Sequence, residues 1–165
     1  MRRLHAALFG LALCFGASGA AAEPMSLNVV LAPKELIRLD FQDGSGHFVL
    51  LSQREGTAEA GGAFAGAKVV EYGLHDVVPG DGAVARGYLA ATTTGGDVAY
   101  IKWQLRAVFV AGAEGKTGIV DNGHWELAGG TGQFAAKRGV GTLLLEFVSK
   151  TDRRYVLQGD ISPAP

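Results

Sequence analysis

Beyond its first 22 residues the chain alternates apolar and polar residues with a period near two, and Gly, Asp, Pro or Asn breaks the alternation at short intervals. The segments HFVLLSQ, KVVEYGL, VARGYLAATT, DVAYIKWQLRAVFV, IVDNGHWELA, VGTLLLEFVS and RRYVLQGDI are rich in Val, Ile, Leu and aromatic residues. Such segments read as strands. No stretch keeps a 3.6-residue apolar period beyond about two turns, so helices are expected to be minor. With a further strand near Leu36–Phe41, the pattern predicts about eight strands at the spacing of an all-β barrel or sandwich.

Two connections predict register. Thr94-Gly95-Gly96-Asp97 reads as a two-residue type I′ hairpin, because paired glycines tolerate positive φ; this sets Ala90 opposite Ile101, Tyr88 opposite Trp103, and Arg86 opposite Leu105. Centring the next, longer connection, AGAEGKTG, near Glu114 pairs Phe109 with Ile119, Trp103 with Trp125 and Lys102 with Glu126. One surface then carries Tyr88, Ile101, Trp103, Phe109, Trp125 and Leu127, expected inside. The other carries Lys102, Gln104, Arg106, His124 and Glu126, expected in solvent or at a subunit contact.

The N-terminus changes the cellular context. MRRLHAALFGLALCFGASGAAAEP runs from two arginines through an apolar core to small residues, the order of a secretory signal peptide with cleavage after Ala22. Cys14 could mark a lipid anchor, but Leu13 precedes it where a small residue is required. Removal of 1–22 leaves 143 residues with 13 basic and 16 acidic side chains, net charge −3, and no cysteine. The expectation is a secreted or periplasmic chain with an N-terminal extension over 23–34 and one domain over 35–165, stabilised by burial rather than disulfides. No basic cluster supports nucleic-acid binding, and no mature apolar run is long enough for stable membrane insertion.

GGTGQFAAKRGVGTL, from Gly129 to Leu143, is the most glycine-rich stretch. It lacks the Gly-Lys-Ser/Thr of a P-loop, and a strand rather than a helix follows, so phosphate binding is not supported. FAGAK at Phe64–Lys68 echoes FAAKR at Phe134–Arg138, which suggests two glycine-bounded corners. ELAGGTGQFAAKRGVGTLLLEF, followed by the closing strand RRYVLQGDI, resembles the signature of the allene oxide cyclase-like and dirigent-like barrel superfamily. Ala136 and Lys137 stand where that family tends to have Gly-Ala. The resemblance implies a single eight-stranded antiparallel barrel with a central apolar cavity, often a homotrimer or homodimer. It also implies cofactor-free cyclisation, or steering of the coupling of reactive phenolic intermediates, by shaping a bound substrate, with the glycine corner serving as scaffold. The expected activity is a cofactor-independent cyclisation, isomerisation or lyase-type step, or non-catalytic binding of such a molecule.

Candidate chemistry is sparse. Glu71-Tyr72-Gly73-Leu74-His75-Asp76 is the densest titratable set; strand alternation puts Glu71 and His75 on one face, Tyr72 and Asp76 on the other. His75 beside a carboxylate can serve as an acid or base, and equally fits a loop-edge histidine satisfied by backbone or water. Arg86, if inside, needs a carboxylate or ligand anion; at the rim it needs neither. The candidate catalytic residues are therefore His75, Arg86 and Glu71, and the candidate ligand-binding residues are Tyr72, Tyr88, Trp103 and Trp125. His47, His75 and His124 have no metal-ligand spacing, and no metal or cofactor is expected. The expected ligand is a small apolar or aromatic molecule.

Overall fold

The computed structural model describes residues 21–112 and 117–165; most of the proposed signal peptide and the turn centre at Glu114 lie outside these residues. Eight antiparallel strands, β1 (Glu23–Asp40), β2 (Phe48–Thr57), β3 (Lys68–Val78), β4 (Gly82–Thr92), β5 (Val98–Ala111), β6 (Thr117–Gly130), β7 (Lys137–Phe147) and β8 (Arg153–Pro163), close into a barrel in chain order. Closure comes from β1 pairing with β8, Leu27 opposite Leu157 and Leu31 opposite Arg153.

That pairing corrects the expected N-terminal extension. Residues 23–34 form the first part of β1, with Met25, Leu27, Val29 and Leu31 buried at every second position. Their period-two pattern was available in MSLNVVL, and the bulge between Pro33 and Glu35 separates it from the strand expected at Leu36. Past Leu31, β1 pairs with β2 alone among the described residues, which leaves Leu36, Ile37 and Leu39 exposed.

The β5–β6 register is as expected: Trp103 faces Trp125, Phe109 faces Ile119, and Lys102 Nζ lies 2.8 Å from Glu126 Oε1. The β4–β5 register differs by one residue. Thr94, Gly95 and Gly96 form a three-residue loop: Gly96 N–H donates to Thr93 O, Thr93 N–H donates to Asp97 O, and Gly96 has φ +90°. Tyr88 therefore pairs with Lys102, Arg86 with Gln104, and Gly87 with Trp103. A one-residue shift exchanges the two faces of a strand, so Arg86 and Tyr88 point outward while Ala85 and Leu89 point in.

The two echoed corners meet at one end of the barrel. Gly62–Phe64 and Gly132–Phe134 are 3₁₀ turns, and the buried Phe64 and Phe134 rings stack with centroids 5.1 Å apart, sealing that end. Gly132, at φ +52°, is where the glycine stretch meets an anion, and that anion is the chain's own: Asp97 Oδ2 accepts the Gln133 N–H at 3.1 Å, and a Cβ at Gly132 would collide with the carboxylate. Gly141 and Gly159 make room for Trp125, whose indole lies over both and donates Nε1–H to Gln158 O at 3.1 Å. Packing fills the barrel from the phenylalanine plug to the Trp103–Trp125 pair, with Leu89, Ile101, Leu143 and Leu157 fully buried.

Candidate functional site

Beyond that filled half the barrel is open. A cavity of about 450 Å³ lies toward the opposite mouth, walled by Phe48, Leu50, Val77, Ala83, Leu105, Phe109, Ile119, Leu145 and Phe147. Its size lies within the usual range for small-molecule sites. The small residues Ala83, Ala85 and Ala107 on β4 and β5 keep the space clear. The polar residues lining it are His75, Arg54 and Arg153.

Behind His75 is a buried polar cluster assembled by strand alternation. Glu71, Gly73 and His75 occupy successive inward positions on β3, and Ser52 on β2 faces Gly73. Because Gly73 has no side chain, Glu71 and His75 fold toward each other across it, leaving Glu71 Oε1 3.5 Å from His75 Nε2. Ser52 Oγ sits between them, 3.0 Å from Glu71 Oε2 and 3.1 Å from His75 Nε2. An ionised carboxylate can only accept, so the serine O–H donates to Glu71 and its lone pair can accept from His75 Nε2–H. Glu71 has no solvent exposure, whereas His75 retains access to the cavity.

The next shell is rich in donors. Arg54 Nε is 4.0 Å from Glu71 Oε2, too far for a hydrogen bond, and Arg54 Nη1 donates to Thr151 O. Arg54 Nε, Trp103 Nε1 and Tyr155 Oη are buried without a partner among the described residues. The Trp103 ring bridges the group, 5.8 Å from His75 and edge-on to Tyr155 at 5.5 Å. Burial, reinforced by the Glu71 charge, pushes the Tyr155 phenol well above its ordinary range and keeps it a neutral donor. Burial first, and the neighbouring Arg54 charge second, weaken the proton affinity of Arg153.

The expected site residues separate into two places. Glu71, His75 and Trp103 converge at or behind the cavity floor, and Trp125 is buried beside Trp103 on the next strand. Tyr72, Arg86 and Tyr88 do not join them. They lie on the outer face, where a groove of about 510 Å³ is bordered by Glu35, Ile37, Leu51, Tyr72, Arg86 and Tyr88. The expected interior row Tyr88–Trp103–Trp125 is corrected to Tyr155–Trp103–Trp125, since the β4 slip removes Tyr88 and the closing strand supplies Tyr155.

Sequence reading did not single out Ser52, Arg54, Tyr155 or Arg153. Alternation alone places Ser52 and Arg54 on one face of β2, and Arg153 and Tyr155 with Leu157 on one face of β8. What it lacks is barrel closure, which brings β2 and β8 to either side of β1. Asp121 on β6 accepts the Leu145 N–H at 2.7 Å where the β6–β7 ladder stops, and burial raises its pKa. Among the described residues no three His, Cys, Asp or Glu side chains converge as a metal site.

Solved structures share this fold. A protein of unknown function from the DUF3224 family of Shewanella oneidensis MR-1 superposes with a TM-score of 0.51 at 12% identity, over 88% of this chain and 99% of its own. A pterocarpan synthase dirigent protein superposes with a TM-score of 0.50 at 14% identity, over 86% of each chain. At such identities the likeness extends to the dirigent-like barrel fold alone. No protein-family model matches the sequence, and no curated protein matches it significantly.

Proposed function

We propose that this protein is exported, binds a small, largely apolar or aromatic molecule in the barrel cavity, and moves a proton on it to promote a cofactor-independent isomerisation, cyclisation or elimination. The observation that carries the reading is an apolar cavity whose floor holds His75, backed by Ser52 and the buried Glu71. A histidine that takes a proton from a ligand becomes a cation, and Glu71 at 3.5 Å balances that charge. Walls of Phe48, Phe109 and Phe147 would hold a ring in one orientation and exclude water, supplying the positioning part of catalysis. The start of β1 at Glu23, directly after the proposed cleavage site, fits removal of 1–22.

Titration with N-phenyl-1-naphthylamine tests binding. One probe per chain is expected, lost in Ala83→Trp, where the indole would plug the mouth. No saturable uptake, or equal uptake by the plugged variant, would refute the cavity as the site. Loss of product formation in His75→Gln with binding retained separates catalysis from a second reading, a non-catalytic, stereo-directing holder, which Arg54 and Arg153 in the lining also favour because they can fix a ligand without reacting. The exposed outer face around Ile37, Leu51, Tyr72 and Tyr88 suits contact with a second copy. Sedimentation of Tyr72→Asp/Tyr88→Asp against the parent tests that assignment.

A further inference from the structure

The cavity's polar lining has one sign. Thirteen of its 16 lining residues are apolar, glycine or proline; the other three are Arg54, His75 and Arg153, and no carboxylate lines it. Both guanidinium groups point inward, Arg54 from β2 beside Ser52 and Arg153 from β8 above Tyr155. Their hydrogen-bond partners are neutral. Arg54 donates to Thr151 O, and Arg153 donates to the carbonyls of Ser149, Lys150 and Asp152 at 2.9–3.4 Å while lying over the Phe147 ring. Arg153 makes no ion pair among the described residues, and Glu71 stands 4.0 Å from Arg54 on the side away from the cavity lining. The carboxylates that act on the two guanidinium groups, Glu71 on the buried Arg54 and Asp152 on the half-buried Arg153, both lie outside the cavity lining, so on the cavity side the two cations have no anionic partner among the described residues.

We infer that the cavity's ligand is an apolar carboxylate, with its head group held between Arg54 and Arg153 beside His75 and its hydrocarbon or aryl body against Phe48, Phe109 and Phe147. The planar fork of guanidinium matches a carboxylate bidentately, whereas a neutral hydrocarbon would leave both charges unanswered. Arg54 and Arg153 are binding and positioning residues here, placing the ligand's body relative to His75. The inference rests on the cavity being the ligand site, as proposed above.

The test compares naphthalene-2-carboxylate with its methyl ester and its carboxamide, three probes of the same ring, using quenching of tryptophan fluorescence in the full mature chain. The expected result is that the carboxylate binds at least about tenfold more tightly than either neutral probe, as expected for a charged hydrogen-bonded pair. That preference should collapse in Arg153→Gln and be weakened in Arg153→Lys, which keeps the charge but not the planar fork. Arg153 is half-buried at the mouth, so circular dichroism and a melting curve establish that the variant is folded. Arg54→Lys is the second variant and should weaken carboxylate binding while leaving ester binding unchanged. Equal binding of all three probes overturns the anion assignment and leaves cavity binding standing. A carboxylate preference that survives in both Arg153→Gln and Arg54→Lys overturns the assignment of the head-group site. Failure of all three probes together with N-phenyl-1-naphthylamine overturns the cavity reading itself.

Discussion

Gly73→Ala tests the central geometric claim, that an absent side chain on β3 permits the Glu71–Ser52–His75 cluster. A Cβ at position 73 would overlap Glu71 Oε1 and lie 2.8 Å from His75 Nε2, so the carboxylate has to swing away. It then loses Ser52 at 3.0 and 3.3 Å and the imidazole at 3.5 Å while still excluded from solvent. Hydrogen bonds to a charged group contribute about 1.5–3 kcal/mol each, and losing them in the interior brings the desolvation cost forward. Replacing glycine in a strand returns roughly 0.5–1 kcal/mol through the less flexible unfolded chain. The net expectation is a destabilisation of about 1–3 kcal/mol, or roughly 3–10 °C in Tm for a domain of this size. Thermal and urea unfolding should be measured for Gly73→Ala in the parent and in a Glu71→Ala background. With the carboxylate removed, the new methyl meets mainly the mobile end of His75, and its cost should vanish. Equal destabilisation in both backgrounds, or none in the parent, would refute the reasoning.

Four further outcomes follow from particular positions. Ala136 has φ +51°, the one non-glycine residue in this region among those described, so Ala136→Gly should raise the urea midpoint by the equivalent of about 1 kcal/mol. Gly66→Ala, at φ +71° in the matching corner, should lower it by a similar amount, about 1 kcal/mol. Phe134→Ala removes a ring stacked on Phe64 and should cost about 3–4 kcal/mol in chemical denaturation; a cost below about 1 kcal/mol would show that the plug does not seal the core. Asp121 has a folded pKa raised by burial, so its stabilising contribution is fully present below the unfolded value near 3.9 and is lost as pH rises through the folded value. Asp121→Asn, which can still accept from Leu145, should flatten that part of a stability–pH profile, and an unchanged profile would count against it.

The alternation of apolar and polar residues was enough to locate seven of the eight strands, with ends up to four residues off, because a half-buried strand needs one wet and one dry face wherever it stands in the fold. The β5–β6 register was legible for the same reason: Trp103, Trp125, Lys102 and Glu126 sort cleanly only in one pairing. Phe64 and Phe134 were visible as an echo, but their stacking was not, since residues 70 apart in sequence meet only when the barrel closes. The β4–β5 turn shows how local ambiguity propagates. Gly95-Gly96 fits a two- or a three-residue loop, and that single residue decides whether Arg86 and Tyr88 face ligand or solvent. The candidate site was half legible, since Glu71 and His75 lie on one strand four residues apart. Ser52, Arg54, Arg153 and Tyr155 join them from β2 and β8, strands distant in sequence and joined through β1 in the sheet. Local sequence thus determined which face of most strands is dry, because that depends on neighbours two residues away. Which polar groups share the interior was decided by closure and register, because only the folded barrel brings these strands within a hydrogen bond of one another.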